Sequence, residues 1–385
     1  MSAHVGAAPV PAVCLGEGAS RGAAAVLDAR GVRSLFLVTG GRSFERSGAE
    51  AALAPALAGR DVHRWQGVRP NPGAEEVQAA LDRFRAEPRD AVLGVGGGSV
   101  LDVAKMVAAL AAEPGEAADY LAGRRQLQGP RRPVLVLVPT TAGSGSEATR
   151  FATVYLGGRK RSLDHPALRC DAALVDPALA ASQPPEVAAA AGLDALCHAV
   201  ESYWSPRSTA RSRTLACRAL RLLGSRLPAA CAGSREARRS TALAAHLAGR
   251  AIDATRTTAA HGLAYPLTAR FDVPHGHACA LNLSWLWAYN CDVGEEDVAD
   301  GRGAAFVRAR LAELLEALGT TAADARARVL GLVAGLGLAT RLRDLGVREA
   351  DLGRLVAEGL ASERSAANPR RLTPAAAAAG LGSLL

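Results

Sequence analysis

Apolar residues in the first half of the chain gather into short continuous runs, whereas in the second half they recur every three or four positions. SLFLVTG (34–40), DAVLGVGGGS (90–99), RPVLVLVPTT (132–141), RFATVYL (150–156) and DAALVDP (171–177) have strand length and end at glycine, threonine or proline. LDVAKMVAALAA (101–112) reads as a helix launched from a glycine turn. Strand, turn and helix in alternation predict a parallel, doubly wound sheet. After Pro177 the texture changes. PPEVAAAAGLDALCHAVESYW, STARSRTLACRALRLLG, TALAAHLAGRAIDA, AAFVRARLAELLEALG and the terminal TPAAAAAGLGSLL carry helical periodicity and almost no strand signal. The expectation is an α/β domain over 1–178 and an all-helical domain over 179–385.

Composition narrows the class without changing that picture. The 385 residues, 49% hydrophobic, suffice for two domains with sizeable cores. No apolar run reaches the ~18 residues of a membrane span. The N-terminal MSAHVGAAPVPAVCLG has no charged region followed by a long apolar core. A cytoplasmic protein without a membrane partner is expected. The seven cysteines are odd in number and form no C-x-x-C pair, which argues for reduced thiols rather than disulfides or a thiolate zinc site. The net charge of +8 raises nucleic acid as a partner. The arginines, however, are scattered among acids and alanines with no aromatic-basic stripe, so no nucleic-acid binding is expected. A positive field that attracts small anions fits better. Lysine occurs only at 105 and 160, which suggests that an ammonium rather than a guanidinium is needed there.

GVGGGSVLDVAK (94–105) follows a strand and opens a helix. Consecutive glycines let backbone N–H groups approach a pyrophosphate at a helix N-terminus, although a plain tight turn would look the same. Ser99, Asp102 and Lys105 extend the motif to GGGSxxDxxK, with Asp102 and Lys105 one helical turn apart. PTTAGSGSEATR (139–150) offers hydroxyls at another strand end. Two such loops on one sheet edge favour a dinucleotide site.

The stretch HGLAYPLTARFDVPHGH (261–277) holds three of the eight histidines. They read either as helix-cap and surface residues or as ligands and proton carriers. In GLDALCHAVESYW, Asp194 and His198 stand four residues apart on one helix face. With His261 and His275 they make one carboxylate and three imidazoles, a set suited to Fe²⁺ or Zn²⁺.

GGGSVLDVAK, PTTAGSGSEAT, GLDALCHAVESYWS, the HG-x(12)-HG spacing and NPRRLT (368–373) together resemble the iron-containing (group III) alcohol dehydrogenases, over nearly the whole chain. The resemblance implies a Rossmann-like domain plus a helical domain, with nucleotide and metal in the cleft between, and a homodimer is expected. It places Asp194, His198, His261 and His275 on the metal positions. Gly96, Gly97, Gly98 and Ser99 fall on the pyrophosphate turn, with Asp102 counted among the cofactor residues. Thr140, Thr141 and Ser144 fall on the second nucleotide loop, and Lys160 on a lysine facing the cofactor. In FLVTGGRSF (36–44), Gly40 replaces an aspartate that many members direct at the adenosine ribose, and Arg42 is close by. This implies that NADPH is admitted alongside NADH.

Departures from the pattern are informative. Tyr265 stands where many members carry a histidine used in proton transfer. Arg256 replaces a small residue, and His277 is not general. TRTTAAHGLAYPLT, PHGHACAL and RFATVYLGGRKRSLDHPAL resemble a narrower branch, the phosphonoacetaldehyde reductases (hydroxyethylphosphonate dehydrogenases). A phosphonate needs charge-assisted donors, which a guanidinium supplies bidentately. Arg256 and Arg150 are the substrate candidates. Arg256 could instead pair with Asp253, and an arginine at 150 also occurs in members with other substrates. Tyr265 and His277 are the catalytic candidates. His277 could orient a ligand, bind the phosphonate or carry a proton. The reading is a metal-dependent NAD(P)H reductase of an anionic aldehyde. Its competitors are a general short-chain alcohol dehydrogenase of the same family, a dehydroquinate-synthase-like lyase and a non-catalytic nucleotide-binding protein.

Overall fold

A computed structural model of the chain describes residues 12–129 and 133–385. Residues 1–11, on which most of the N-terminal reading rested, and Arg132, where one apolar run begins, lie outside the described residues. The chain forms two compact units. One runs to Thr141 and resumes over Ser146–Ser182; the other takes Ala142–Gly145 and Gln183–Leu385.

The first unit is built on a six-stranded, wholly parallel sheet. Its strands are β1 (Ala12–Leu15), β2 (Ser34–Gly40), β3 (Asp61–Val68), β4 (Ala91–Gly96), β5 (Val134–Pro139) and β8 (Ala172–Val175), in the order β1-β8-β5-β4-β2-β3. The central strands β2, β4 and β5 are buried along almost their whole length, which is why they appear as continuous apolar runs. β1 and β3 lie at the two edges and are largely exposed or half-buried, and the polar DVHRWQGV of β3 gives no apolar run to read. Helix α1 (Gly98–Leu110) starts two residues after β4 and is buried along most of its length.

RFATVYL was expected among the sheet strands, and the structure corrects this. Phe151–Leu156 (β6) pairs antiparallel with Arg159–Asp164 (β7) in a separate two-stranded ribbon. Gly157 (φ 56°) and Gly158 (φ 72°) supply the two positive φ angles of a tight hairpin turn. Only alternate residues of β6, Ala152 and Val154, are fully buried, the pattern of a strand covered on one face.

The second unit is helical. Five helices are used below: α2 (Pro185–Trp204), α3 (Arg235–Thr255), α4 (Ala259–Phe271), α5 (His275–Cys291) and α6 (Ala304–Leu318). Leu193, Val200, Trp204, Leu263, Leu283 and Trp287 belong to its single large core. Ala142–Gly145 packs with these helices because its glycines permit it. A Cβ on Gly143 would lie 2.7 Å from the Cα of Ala191, and one on Gly145 (φ 58°) 2.7 Å from the Cα of Gly249. Among the described residues no helix is long and apolar enough to cross a membrane.

Candidate active site

In the first unit the sheet order creates a switch point. From β2 the chain goes on to β3 on one side, and from β4 it goes on to β5 on the other, so the loops leaving β2 and β4 diverge. Ligands of doubly wound sheets lie in such crevices. Gly40 ends β2, and a Cβ there would lie 3.6 Å from Val100 at the start of α1. Arg42 follows, exposed, at the N-cap of a short turn of helix.

The glycines of the turn divide their work. A Cβ on Gly94 would lie 2.7 Å from Ala104, and one on Gly96 2.5 Å from Val100, so these two let α1 lie close against β4. Gly97 is the N-cap of α1 and Gly98 its first residue. Gly97 abuts Thr141, whose side chain would be 3.3 Å from its Cβ, and Thr140 N donates to Gly96 O at 2.9 Å. The start of the second loop thus lies beside the glycine turn, while Ser144 goes with the helical unit. Ser99 Oγ accepts from Asn71 N at 3.3 Å.

Asp102 is engaged by the protein itself. One oxygen accepts from Ser146 Oγ at 2.6 Å and the other from Thr153 N at 2.9 Å. Burial raises its pKa, and Lys105 opposes the rise. The fully buried Lys105 donates to Ser146 Oγ (2.9 Å), Thr149 Oγ1 (2.8 Å) and Phe151 O (2.8 Å). Three acceptors around one point suit an ammonium and not a planar fork, which accounts for one of the two retained lysines. Lys160 lies on β7 opposite Tyr155. Arg150 Nε is 3.0 Å from Asp164 Oδ1, so the substrate candidate at 150, just before β6, faces the acid that ends β7.

In the helical unit, α2 carries Asp194, His198 and Glu201, α4 carries His261 and Tyr265, and α5 carries His275 and Cys279. Close helix approach brings them together. A Cβ on Gly276 would lie 2.7 Å from the Cβ of Asp194, and one on Gly262 2.8 Å from Ser365 N, so each HG glycine is a packing requirement beside its histidine. His261 Nε2 stands 3.3 Å from Asp194 Oδ1, and His198 Nε2 is 3.7 Å from the same oxygen. The His198 and His261 rings stack at 4.7 Å, and His275 meets His261 edge-on at 5.2 Å. Tyr265 stacks on His275 with ring centroids 5.7 Å apart. Donor atoms of Asp194, His261, His275 and Cys279 all lie within 4.8 Å of one another.

His198, an expected ligand, is not in that group, but its Nε2 lies beside the same Asp194 oxygen; Asp194, His261 and His275 with His198 fit a divalent metal. Asp194 Oδ1 and His261 Nε2 are buried and have no hydrogen-bond partner among the described residues, an arrangement that is costly unless a cation satisfies both. Burial alone would raise the Asp194 pKa, but the imidazoles of His198, His261 and His275 hold it well below the usual carboxylate range. Burial would lower that of His261, yet Cys279, Glu201 and Asp194 raise it well above the usual value. Burial pushes the Cys279 thiol up to about 11.

Two residues depart from the sequence reading. Glu201 was missed. It is fully buried, and its Oε2 makes a short contact with His261 Nδ1, placing a carboxylate behind the imidazole. An acid three residues after His198 reads in sequence as a solvated helix face; only burial reveals it. His277, expected to serve substrate or proton transfer, is corrected. It is 2% exposed, and its Nε2–H donates to Ala339 O at 2.6 Å. Residues two apart on a helix point about 200° apart, so His277 cannot share the face that His275 presents. Burial also holds its pKa below the ordinary histidine value.

Arg256 occupies the C-cap of α3 with φ 65° and ψ 175°, a conformation that is essentially glycine's. Its surroundings hold it there. Ser205 Oγ donates to Thr255 O at 3.1 Å, Trp204 Nε1 to Thr258 Oγ1 at 2.9 Å, and Thr258 N and Oγ1 both donate to Glu201 Oε1 at 3.0 and 2.7 Å. Arg256 is half-buried, five residues before His261.

Comparison with known proteins agrees with this geometry. The model for iron-containing alcohol dehydrogenase matches residues 11–177, and the C-terminal model of the Fe-containing alcohol dehydrogenase family matches residues 188–379. The chain is 39% identical over 320 residues to phosphonoacetaldehyde reductase of Streptomyces viridochromogenes, covering 79% of each protein. It is 41% identical over 235 residues to long-chain-alcohol dehydrogenase 1 of Geobacillus thermodenitrificans, a match that spans 60% of this chain but only 59% of that relative. The crystal structure of sulfoacetaldehyde reductase from Bifidobacterium kashiwanohense in complex with NAD+ superposes with a TM-score of 0.87 at 27% identity, covering 97% of both chains.

Proposed function

The chain belongs to the iron-containing alcohol dehydrogenase family, and from that premise we propose that it reduces phosphonoacetaldehyde to 2-hydroxyethylphosphonate with NADPH or NADH. A bound divalent metal supplies Lewis-acid polarisation of the carbonyl oxygen, and a bound nicotinamide supplies the hydride. Asp194, His198, His261 and His275 would hold the metal, with Glu201 behind His261. Gly97, Gly98, Thr140 and Thr141 would cradle the pyrophosphate, and Gly40 and Arg42 would meet the adenosine ribose. Asp102 and Lys105 shape that loop from within. Tyr265 Oη, one helical turn after His261, is the proposed donor of the proton that completes the alcohol.

The observation that carries the substrate reading is Arg256. An arginine held in a glycine-like conformation is a strained choice that function explains better than stability. A guanidinium there offers a fork for a phosphonate dianion. Two of the similar proteins are named for two-carbon aldehydes bearing a tetrahedral oxyanion, which supports the same class. The test is a panel of phosphonoacetaldehyde, propanal and lactaldehyde with each nucleotide. The proposal expects kcat/KM for phosphonoacetaldehyde to exceed the others by at least about 100-fold, the value of two charge-assisted hydrogen bonds. Equal values would leave a general alcohol dehydrogenase.

A further inference from the structure

We propose that Glu201 is a positioning residue that fixes the tautomer of His261, so that Nδ1 carries the proton and Nε2 presents its lone pair beside Asp194. The inference rests on the metal reading of this cluster.

Hydrogen-bond directions settle the arrangement one atom at a time. Glu201 Oε1 receives Thr258 N at 3.0 Å, Thr258 Oγ1 at 2.7 Å and Ala260 N at 3.0 Å. The two amides can only donate. The Thr258 hydroxyl also accepts from Trp204 Nε1 at 2.9 Å, which directs its own proton to Glu201. Oε1 is therefore committed as an acceptor with a fixed position. Oε2, with no proton to give as a carboxylate, faces His261 Nδ1 and needs a donor there. With a cation in place of a proton beside Asp194, His261 is a neutral imidazole that keeps its proton on Nδ1 for Glu201, and its Nε2, 3.3 Å from Asp194 Oδ1, is left bare. Glu201, His261 and Asp194 thus form a line in which the outer carboxylate decides whether the inner nitrogen can be a ligand.

The isosteric variant Glu201→Gln inverts that logic without changing the shape. Four donors converge where Oε1 was, the fourth being His261 N at 3.4 Å, so the amide oxygen takes that place and the NH₂ group faces His261 Nδ1. Nδ1 must then accept, the proton moves to Nε2, and the ligand is blocked. We expect the zinc affinity of Glu201→Gln, measured by chelator competition, to fall roughly 10- to 100-fold. The thermal midpoint of the zinc-free protein should change little. Thr258→Val removes the hydroxyl but leaves Oε2 against His261; it should lower the thermal midpoint and leave zinc affinity nearly unaltered. In ¹⁵N-histidine-labelled, zinc-loaded wild type, His261 should show a protonated Nδ1 and a metal-bound Nε2. That reading stands even if the glutamine variant does not fold.

Zinc held equally well by wild type and Glu201→Gln, equal losses of affinity in Glu201→Gln and Thr258→Val, or a metal-bound Nδ1 would each overturn the proposal. A wild type that binds no zinc or ferrous iron would instead overturn the metal reading beneath it.

Discussion

His261 Nε2 and Asp194 Oδ1 face each other across 3.3 Å in the helical unit, both buried and neither with a hydrogen-bond partner among the described residues. Water excluded from such a pair must be replaced by a proton or a cation. Removing either of two ligands should therefore abolish metal loading, but with different effects on the fold. His261→Ala leaves the buried Glu201 carboxylate without its imidazole and should cost roughly 3 kcal/mol of stability. His275→Ala, at a half-buried helix start, should cost less. Metal analysis and thermal melts of both variants measure this; full metal content in both would contradict the ligand assignment.

The proton donor can be isolated by one atom. Tyr265→Phe keeps the ring stacked on His275 and deletes only Oη. The expected loss in kcat is about 100-fold or more, in the range of positioned acid–base groups, with metal content unchanged. A rate equal to wild type would mean that solvent supplies the proton.

Cofactor choice should respond to Arg42. The residue is exposed beside the end of β2, where Gly40 provides no carboxylate to repel a 2′-phosphate. Arg42→Ala should lower kcat/KM for NADPH by about tenfold, the value of one charge-assisted hydrogen bond, and leave that for NADH nearly unchanged. A protein that strongly prefers NADH and is indifferent to the substitution would refute this.

The buried lysine provides a test of the first unit alone. Lys105→Met would leave Ser146, Thr149, Phe151 O and Asp102 without their shared cation. A destabilisation on the order of 3–5 kcal/mol is expected for a broken buried pair. Lys105→Arg should not rescue it, because three acceptors around one nitrogen cannot be met by a fork. Equal melting of Lys105→Arg and wild type would show that charge alone matters there.

Much of this was legible from pattern alone, for reasons particular to each element. β2, β4 and β5 are buried on both faces and so read as apolar runs, and the Asp194–His198 pair of α2 is a four-residue spacing on one face. His261 and His275 stood out because each needs a glycine beside it for helix approach, which leaves a repeated HG. What escaped depended on partners distant in sequence. Glu201 looks like a solvated acid until Thr258 and His261, 57 and 60 residues away, close over it. His277 looked like a third site histidine because the helix start at His275, which sets its direction, was not placed. β3 hides its strand character in polar residues that an edge tolerates.

The most direct measurement of the central claim is made on Arg256→Gly. Glycine accepts φ 65° and ψ 175° without the strain of about 1–3 kcal/mol that an arginine bears there, offset in part by glycine's greater chain entropy. The variant should therefore melt no lower than wild type. It should lose roughly 2–4 kcal/mol of transition-state stabilisation with phosphonoacetaldehyde, about 30- to 1000-fold in kcat/KM. Propanal, which has nothing for a guanidinium to bind, should be reduced with nearly wild-type efficiency. If both aldehydes lose equally, or if the variant melts well below wild type while the phosphonate preference persists, Arg256 serves the fold and the anionic-substrate account is contradicted.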